Sequence, residues 1–331
     1  MKLLTPQAPF KGGPVEQVAG IRLRCPRCGS SIGNLPDEDA APLVCLNCRS
    51  RLACEHGIWK ALLPERWSHY SRFVEDYEFI RASEGRGSAN DNYYLALPYR
   101  DLSGHLSSQW FMRARTFRYI ERKILPRITT LTRNNLRILD LGAGNGWMSY
   151  RLASQGHSPV AVDLLTNDQD GLGAAEHYKK RLTSLFPRFQ AELDNLPFAD
   201  SQFDLVGFNS SFHYSENYEK TLCEALRCTR GNGTVLIADT PWYSDERSGQ
   251  LMLEERRVSF TRRYGFPSDE LRSLEYLTDK RLEDLEKRFG IQWQKHEPYY
   301  GIRWQMRPLV AKLRHARKPS RFRIYAAKVI K

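Results

Sequence analysis

From Leu136 onward, short apolar runs alternate with segments whose apolar residues recur every three or four positions. The runs at 136–141, 159–163, 188–192, 203–209 and 233–239 predict buried strands. The stretches between them predict helices from 146, over 171–186 and over 215–230. Strands and helices in repeated alternation fold as a parallel, doubly wound α/β sheet with helices on both faces. Upstream, Trp67, Tyr70, Phe73, Val74, Tyr77 and Ile80 fall on one helical face between 64 and 83. Trp110, Phe111, Phe117, Ile120 and Leu125 predict a second helix, and aromatic stripes at this spacing read first as core. Beyond Asp239 comes a charged, helix-prone insertion, after which "IQWQKHE" and "RFRIYAAKV" read as closing strands. The expected organisation is an N-terminal unit over 1–63, a helical linker and cap over 64–133, and a main domain over 134–331. That domain carries a cap insertion at 240–290 and a basic segment at 301–331.

The 331 residues are 41% hydrophobic and 27% charged, an ordinary globular balance, and no apolar run approaches the roughly 18 residues of a membrane span. The opening "MKLLTPQAPFKGG" lacks the apolar core of a secretory signal, so a cytoplasmic location is expected. A net charge of +12 invites a nucleic-acid reading. Yet ten of the 50 Lys and Arg residues, and none of the 38 Asp and Glu, lie from Gly301 to Lys331. The excess is local.

Seven cysteines are an odd number for a disulfide framework, and four form the pairs Cys25-x-x-Cys28 and Cys45-x-x-Cys48. Two such pairs place four thiolates tetrahedrally around one zinc ion. Four sulfur ligands leave no position open for water, so the expected site is a structural staple, a zinc ribbon. Cys54 and His56 lie nearby as substitute ligands.

Between two of the apolar runs stands "ILDLGAGNGW", with Gly142, Gly144 and Gly146 crowded into five positions. In a doubly wound sheet a glycine turn after the first strand lets a nucleotide approach the backbone. The spacing is not the G-x-G-x-x-G that cups a pyrophosphate, and no Lys-Ser or Lys-Thr follows to make a P-loop.

This motif resembles the first motif of class I S-adenosylmethionine-dependent methyltransferases, and the resemblance extends from Arg137 to Asp239, with "LPFADSQFDLV" close to the ubiquinone-biosynthesis-like branch. It implies a Rossmann-like methyltransferase sheet and S-adenosylmethionine as cofactor. Carried over by position, Gly142, Ala143, Gly144 and Gly146 form the cofactor loop, and the backbone near Trp147 meets the methionine carboxylate. Asp140 orients that loop or meets the methionine amino group through water. Asp163, with Leu164 beside it, accepts hydrogen bonds from the ribose hydroxyls. Glu192 stands where an Asp usually faces adenine, and Leu193 flanks the base. A sulfonium already carries an activated methyl group, so alignment and exclusion of water are the main tasks. His213 is the candidate general base, with Asn209 and Tyr214 positioning the acceptor and Asn209 also near the cofactor. Tyr99 and Trp110 are candidate lid residues, aromatic faces being attractive to a sulfonium.

The expected acceptor is a small molecule, lipid or saccharide, capped by the insertion after Asp239. The second reading is ribosomal or transfer RNA, since some bacterial 23S ribosomal RNA guanine methyltransferases also carry an N-terminal zinc ribbon. Residues 1–60 hold only eight basic and five acidic groups, a weak footprint for gripping phosphates. A third reading makes the fold a non-enzymatic scaffold. In the tail, Met306, Leu309, Val310 and Leu313 follow helical spacing beside Arg307, Lys312, Arg314, Arg317 and Lys318. Such a basic amphipathic helix suits an anionic membrane surface, an anionic substrate or RNA, or else packs its apolar face inward.

Overall fold

The computed structural model describes residues 20–37, 41–129 and 135–331. The N-terminal stretch on which the expectation about a secretory signal rested lies outside them.

One nine-stranded sheet organises the chain. Its strands, numbered here in chain order, are β1 (Cys54–Glu55), β2 (Ile58–Lys60), β3 (Arg137–Leu141), β4 (Ser158–Asp163) and β5 (Arg188–Gln190), followed by β6 (Phe203–Asn209), β7 (Thr229–Trp242), β8 (Trp293–His296) and β9 (Arg321–Lys328). In space they run β8-β9-β7-β6-β3-β4-β5-β2-β1. The six from β7 to β2 are mutually parallel, and the edges are closed by antiparallel neighbours. The order turns back at β3, which lies between β4 and β6, the place where a doubly wound sheet opens a crevice beyond its carboxyl ends.

Alternate residues of each strand point to opposite faces, and both faces are covered. Leu139, Leu141, Val160, Val162, Val206 and Phe208 enter one core. Their neighbours Ile138, Ala161, Leu205, Leu236 and Ala238 enter the other. Burial on both sides explains why these strands read as continuous apolar runs.

The helix over Tyr218–Cys228 begins at Asn217, whose side chain accepts from the Lys220 amide, and the helix over Glu246–Tyr264 begins at Asp245, which accepts from the Ser248 amide. The helix expected over 171–186 is instead a 3-10 segment, Leu172–Lys180. The Asn167 side chain accepts from the amides of Gln169, Asp170 and Gly171, and a Cβ at Gly173 would collide with Asp168. That local turn chemistry competes with regular helix.

The N-terminal unit does not stand apart. Its last hairpin is β1–β2, and β2 pairs in parallel with β5. Ile21 and Leu23 are fully buried in the main core, and Arg22 and Arg24 exchange backbone bonds with Ala199 and Pro197.

In the basic tail, helices cover Ile302–Gln305 and Arg307–Leu313. Ile302, Met306, Leu309, Val310 and Leu313 are all exposed, so this segment does not pack its apolar face inward.

Candidate active site

The crevice beyond β3, β4 and β6 is a cleft of ≈ 1090 Å³, counted out to its open mouth. Asp140, at the buried end of β3, accepts from Ser149 Oγ at 2.8 Å. Burial pushes its carboxyl up to about 7. The chain then turns through Gly142–Gly146, strapped to β4 where the amides of Gly142 and Ala143 donate to Val162 O at 2.8 and 3.0 Å. Asp163 clamps the loop: Oδ2 accepts from the Gly144 amide at 2.7 Å, and Oδ1 from the Leu165 amide at 2.9 Å. Its carboxyl is raised, chiefly by burial.

The three glycines serve different ends. A Cβ at Gly142 would run into Ser211, and one at Gly146 would lie 3.0 Å from the Phe186 ring, so both positions permit close association of protein with protein. Gly144 has only Asp170 O, at 3.6 Å, in reach of such a Cβ, and its φ of +55° is what favours glycine there.

Of the expected residues, Asp140, Gly142, Ala143, Gly144, Trp147, Asp163, Leu164, Leu193, Asn209 and Tyr214 line the cleft together. Gly146, Glu192 and His213 do not. Glu192 is turned away because Oε1 accepts from Arg66 Nε at 2.8 Å and from Tyr70 OH at 2.9 Å; its neighbours Leu193 and Asp194 face the cleft instead. His213 is buried with Nδ1 unpartnered among the described residues, and desolvation pushes its imidazole down to about 4, poor for a base near neutrality. Its carbonyl accepts from the Glu275 amide, which ties it to the cap insertion.

Tyr99 and Trp110 are likewise absent from the wall. Trp110 is buried edge-on to Trp147, and the Tyr99 hydroxyl donates to Glu121. The aromatic wall comes from the helix over Trp67–Ser83: Phe73 and Tyr77 meet Tyr214 with ring centroids 6.1 and 5.6 Å apart. This stripe read as core, although Arg81 on the same face hints at a polar cavity. Arg81 pairs with Asp170, which also accepts from Asn145 Nδ2 at 3.1 Å. Arg113, stacked over Trp110 at 4.8 Å, completes the wall.

The cleft fits a nucleoside that bears a cation. Three buried carboxylates line it, Asp140, Asp163 and the Arg81-paired Asp170; the first two and the aromatic wall attract positive charge, and Asn209 Oδ1 is a buried acceptor with no partner among the described residues, suited to a ligand N–H.

At the ribbon, the Sγ atoms of Cys25, Cys28, Cys45 and Cys48 all lie within 4.8 Å of one another. Cys25–Cys48 and Cys28–Cys45 are 3.6 and 3.5 Å apart, close to the roughly 3.8 Å edge of a tetrahedron with 2.3 Å zinc–sulfur bonds. Each pair closes a tight knuckle in which the first cysteine's carbonyl accepts from the amide four residues on, Gly29 or Arg49. Cys54 and His56 stand outside the cluster.

Residues 139–237 match the family model described as "Methyltransferase domain". The malonyl-[acyl-carrier protein] O-methyltransferase of Buchnera aphidicola is 28% identical over 107 residues, 31% of this chain and 39% of its own length. The demethylmenaquinone methyltransferase of Beutenbergia cavernae is 34% identical over 110 residues, 32% of this chain and 42% of its own. This chain thus spans well under half of those relatives. Among solved structures, the 1,6-didemethyltoxoflavin-N1-methyltransferase of Burkholderia thailandensis aligns with 88% of this chain and 100% of its own at 15% identity and a TM-score of 0.45. Over residues 139–237, therefore, the chain matches a methyltransferase domain.

Proposed function

We propose that the protein transfers a methyl group from S-adenosylmethionine to a small or lipid-like acceptor. The observation that carries this reading is Asp163, set at the carboxyl end of β4 with Gly144 on one oxygen and the cleft beside it. When bound, the cofactor supplies an activated methyl on sulfur. The protein's own work is to bind, align and dry the reactants. Asp163 offers acceptors to the ribose, Leu193 and Asp194 border the base, and Asp140 with Asn209 suits the amino end. Phe73, Tyr77 and Tyr214 exclude water around the sulfur.

Arg81 and Arg113 give the cleft two cations and favour an acceptor with anionic character. The relatives' names specify a malonyl group on a carrier protein and a demethylmenaquinone, neither of them a nucleic acid. The exposed Ile302, Leu309 and Leu313, beside Arg303, Lys312 and Arg314, suit contact with an anionic lipid surface. A zinc ion held by the four cysteines acts as a structural staple.

The test is transfer of radiolabel from S-adenosylmethionine into a cell extract, followed by ribonuclease digestion or solvent extraction. Label is expected in the organic or small-molecule fraction. Label released by ribonuclease overturns the small-acceptor reading in favour of RNA.

A pH dependence also follows. A cationic ligand favours ionised Asp140, so binding expels its proton wherever the free carboxyl is protonated. S-adenosylhomocysteine, whose amino group is charged, should bind more tightly as pH rises from 6 to 8, by up to about tenfold per unit below about 7. Calorimetry should show this slope flattened in Asp140→Asn; a slope unchanged in that variant contradicts the assignment. For folding the sign is opposite: a raised carboxyl loses the fold stability as pH climbs from about 4 to about 7.

A further inference from the structure

A second, wide-mouthed chamber of ≈ 1640 Å³, counted out into solvent, adjoins the cleft, sharing Arg113 and Ser210 with it. Its walls are mainly apolar and aromatic: Met112 from the helix over Ser107–Tyr119 and Trp304 and Phe322 from the C-terminal segment line it, with Phe111, Tyr299 and Ile302 exposed at its rim. Ser210 is the hinge between the two spaces, its amide donating to Ala238 O at 2.9 Å while Asn209 beside it faces the cleft.

Into this apolar chamber the fold turns one carboxylate. The pairing of β7 with β9 slips between Ala238 and Pro241, and Asp239 sits in that irregularity with a left-handed φ of +50°. Asp239 is 5% exposed. Its Oδ1 accepts from Thr116 Oγ1 at 2.5 Å, and the Thr116 hydroxyl is bonded in turn to Tyr300 OH at 2.8 Å. Its Oδ2 makes no well-aligned hydrogen bond among the described residues, although the Tyr300 hydroxyl lies near the carboxyl. A buried carboxylate oxygen without a donor is costly, so a ligand that brings an O–H is favoured there. Burial pushes this carboxyl up to about 6, nearer the range of a working base. Arg113, held on Trp110, supplies positive charge at the partition.

We infer that the chamber receives an apolar, aromatic-sized acceptor carrying an acidic hydroxyl, and that Asp239 Oδ2 takes the hydroxyl proton while Arg113 stabilises the developing oxyanion. The inference rests on the methyltransferase reading and names the acceptor class for that site. The step balances: an acceptor oxygen lone pair forms the new O–CH3 bond, the S–CH3 bond breaks with its electron pair returning to sulfur, and the O–H proton passes to Asp239. The cationic donor becomes a neutral thioether. Thr116 and Tyr300 are positioning residues, holding the carboxyl through Oδ1.

The test uses the full chain saturated with S-adenosylhomocysteine and two probes, 2-naphthol and naphthalene, which share a ring system and differ by the hydroxyl. Both are expected to bind at one site, and Met112→Glu should weaken both at least tenfold while the S-adenosylhomocysteine affinity stays within twofold. Asp239→Asn keeps the shape and tolerates the left-handed backbone. It should weaken 2-naphthol about tenfold and leave naphthalene unchanged, a split that loss of structure does not produce. Equal losses for the two probes in Asp239→Asn, or no loss for either, overturn the role of Asp239. Absence of probe binding to cofactor-loaded protein overturns the chamber. Failure of S-adenosylhomocysteine itself to bind is a separate result and sinks the parent reading instead.

Discussion

Asp163→Ala is expected to lower affinity for S-adenosylhomocysteine roughly a hundredfold while the protein stays folded. The carboxylate holds the loop through the Gly144 amide and the strand end through the Leu165 amide, each a hydrogen bond to a charged group worth about 1.5–3 kcal/mol. In the complex it would also serve the ribose hydroxyls, and alanine leaves those donors and the two amides unsatisfied. About 2.7 kcal/mol corresponds to a factor of one hundred. Asp163→Asn, which retains one acceptor oxygen, should fall between alanine and the unmodified protein. Calorimetry checks the series, and an alanine variant that binds normally shows that the ribose is held elsewhere.

Loss of the metal should have the second large effect. The ribbon's strands, Arg22–Arg24, Ser31–Asn34, Leu43–Val44 and Arg51–Leu52, are two to four residues long, too short to persist without a staple. Structural zinc contributes about 10–16 kcal/mol of binding energy in small zinc domains. The ribbon also reaches the segment after β5 that carries Leu193 and Asp194 to the cleft, since Pro26 O accepts from Asn195 Nδ2 and the Arg24 amide donates to Pro197 O. Its continuation, Arg66 and Tyr70, holds Glu192. Cys45→Ser should therefore abolish stoichiometric zinc, lower the melting temperature by roughly 10 °C and weaken cofactor binding about tenfold. Metal analysis, a thermal melt and calorimetry on one preparation decide it. A metal-free protein with unchanged melting and binding contradicts the staple.

The parts of this architecture visible in the sequence are those whose cause is local. Strands buried on both faces announce themselves as apolar runs, a glycine turn between two of them marks the crevice, and two cysteine pairs mark the ribbon. What escaped depends on distant partners. Glu192 holds the expected position, but Arg66 and Tyr70, more than a hundred residues earlier, draw it out of the cleft. Phe73 and Tyr77 sit on an ordinary aromatic stripe, and only the docking of their helix against Tyr214 makes them a wall. Trp110 looked available for a lid, yet Trp147 buries it. Asp239 closed a strand in the sequence; the slipped register that points it into a chamber is set by pairing with a strand eighty residues later.

The central claim is that the cleft beyond β3, β4 and β6 binds an S-adenosyl nucleoside, and calorimetric titration of the unmodified full chain with S-adenosylhomocysteine tests it most directly. The account predicts saturable binding with one equivalent per chain. A flat titration from zinc-loaded, folded protein contradicts it.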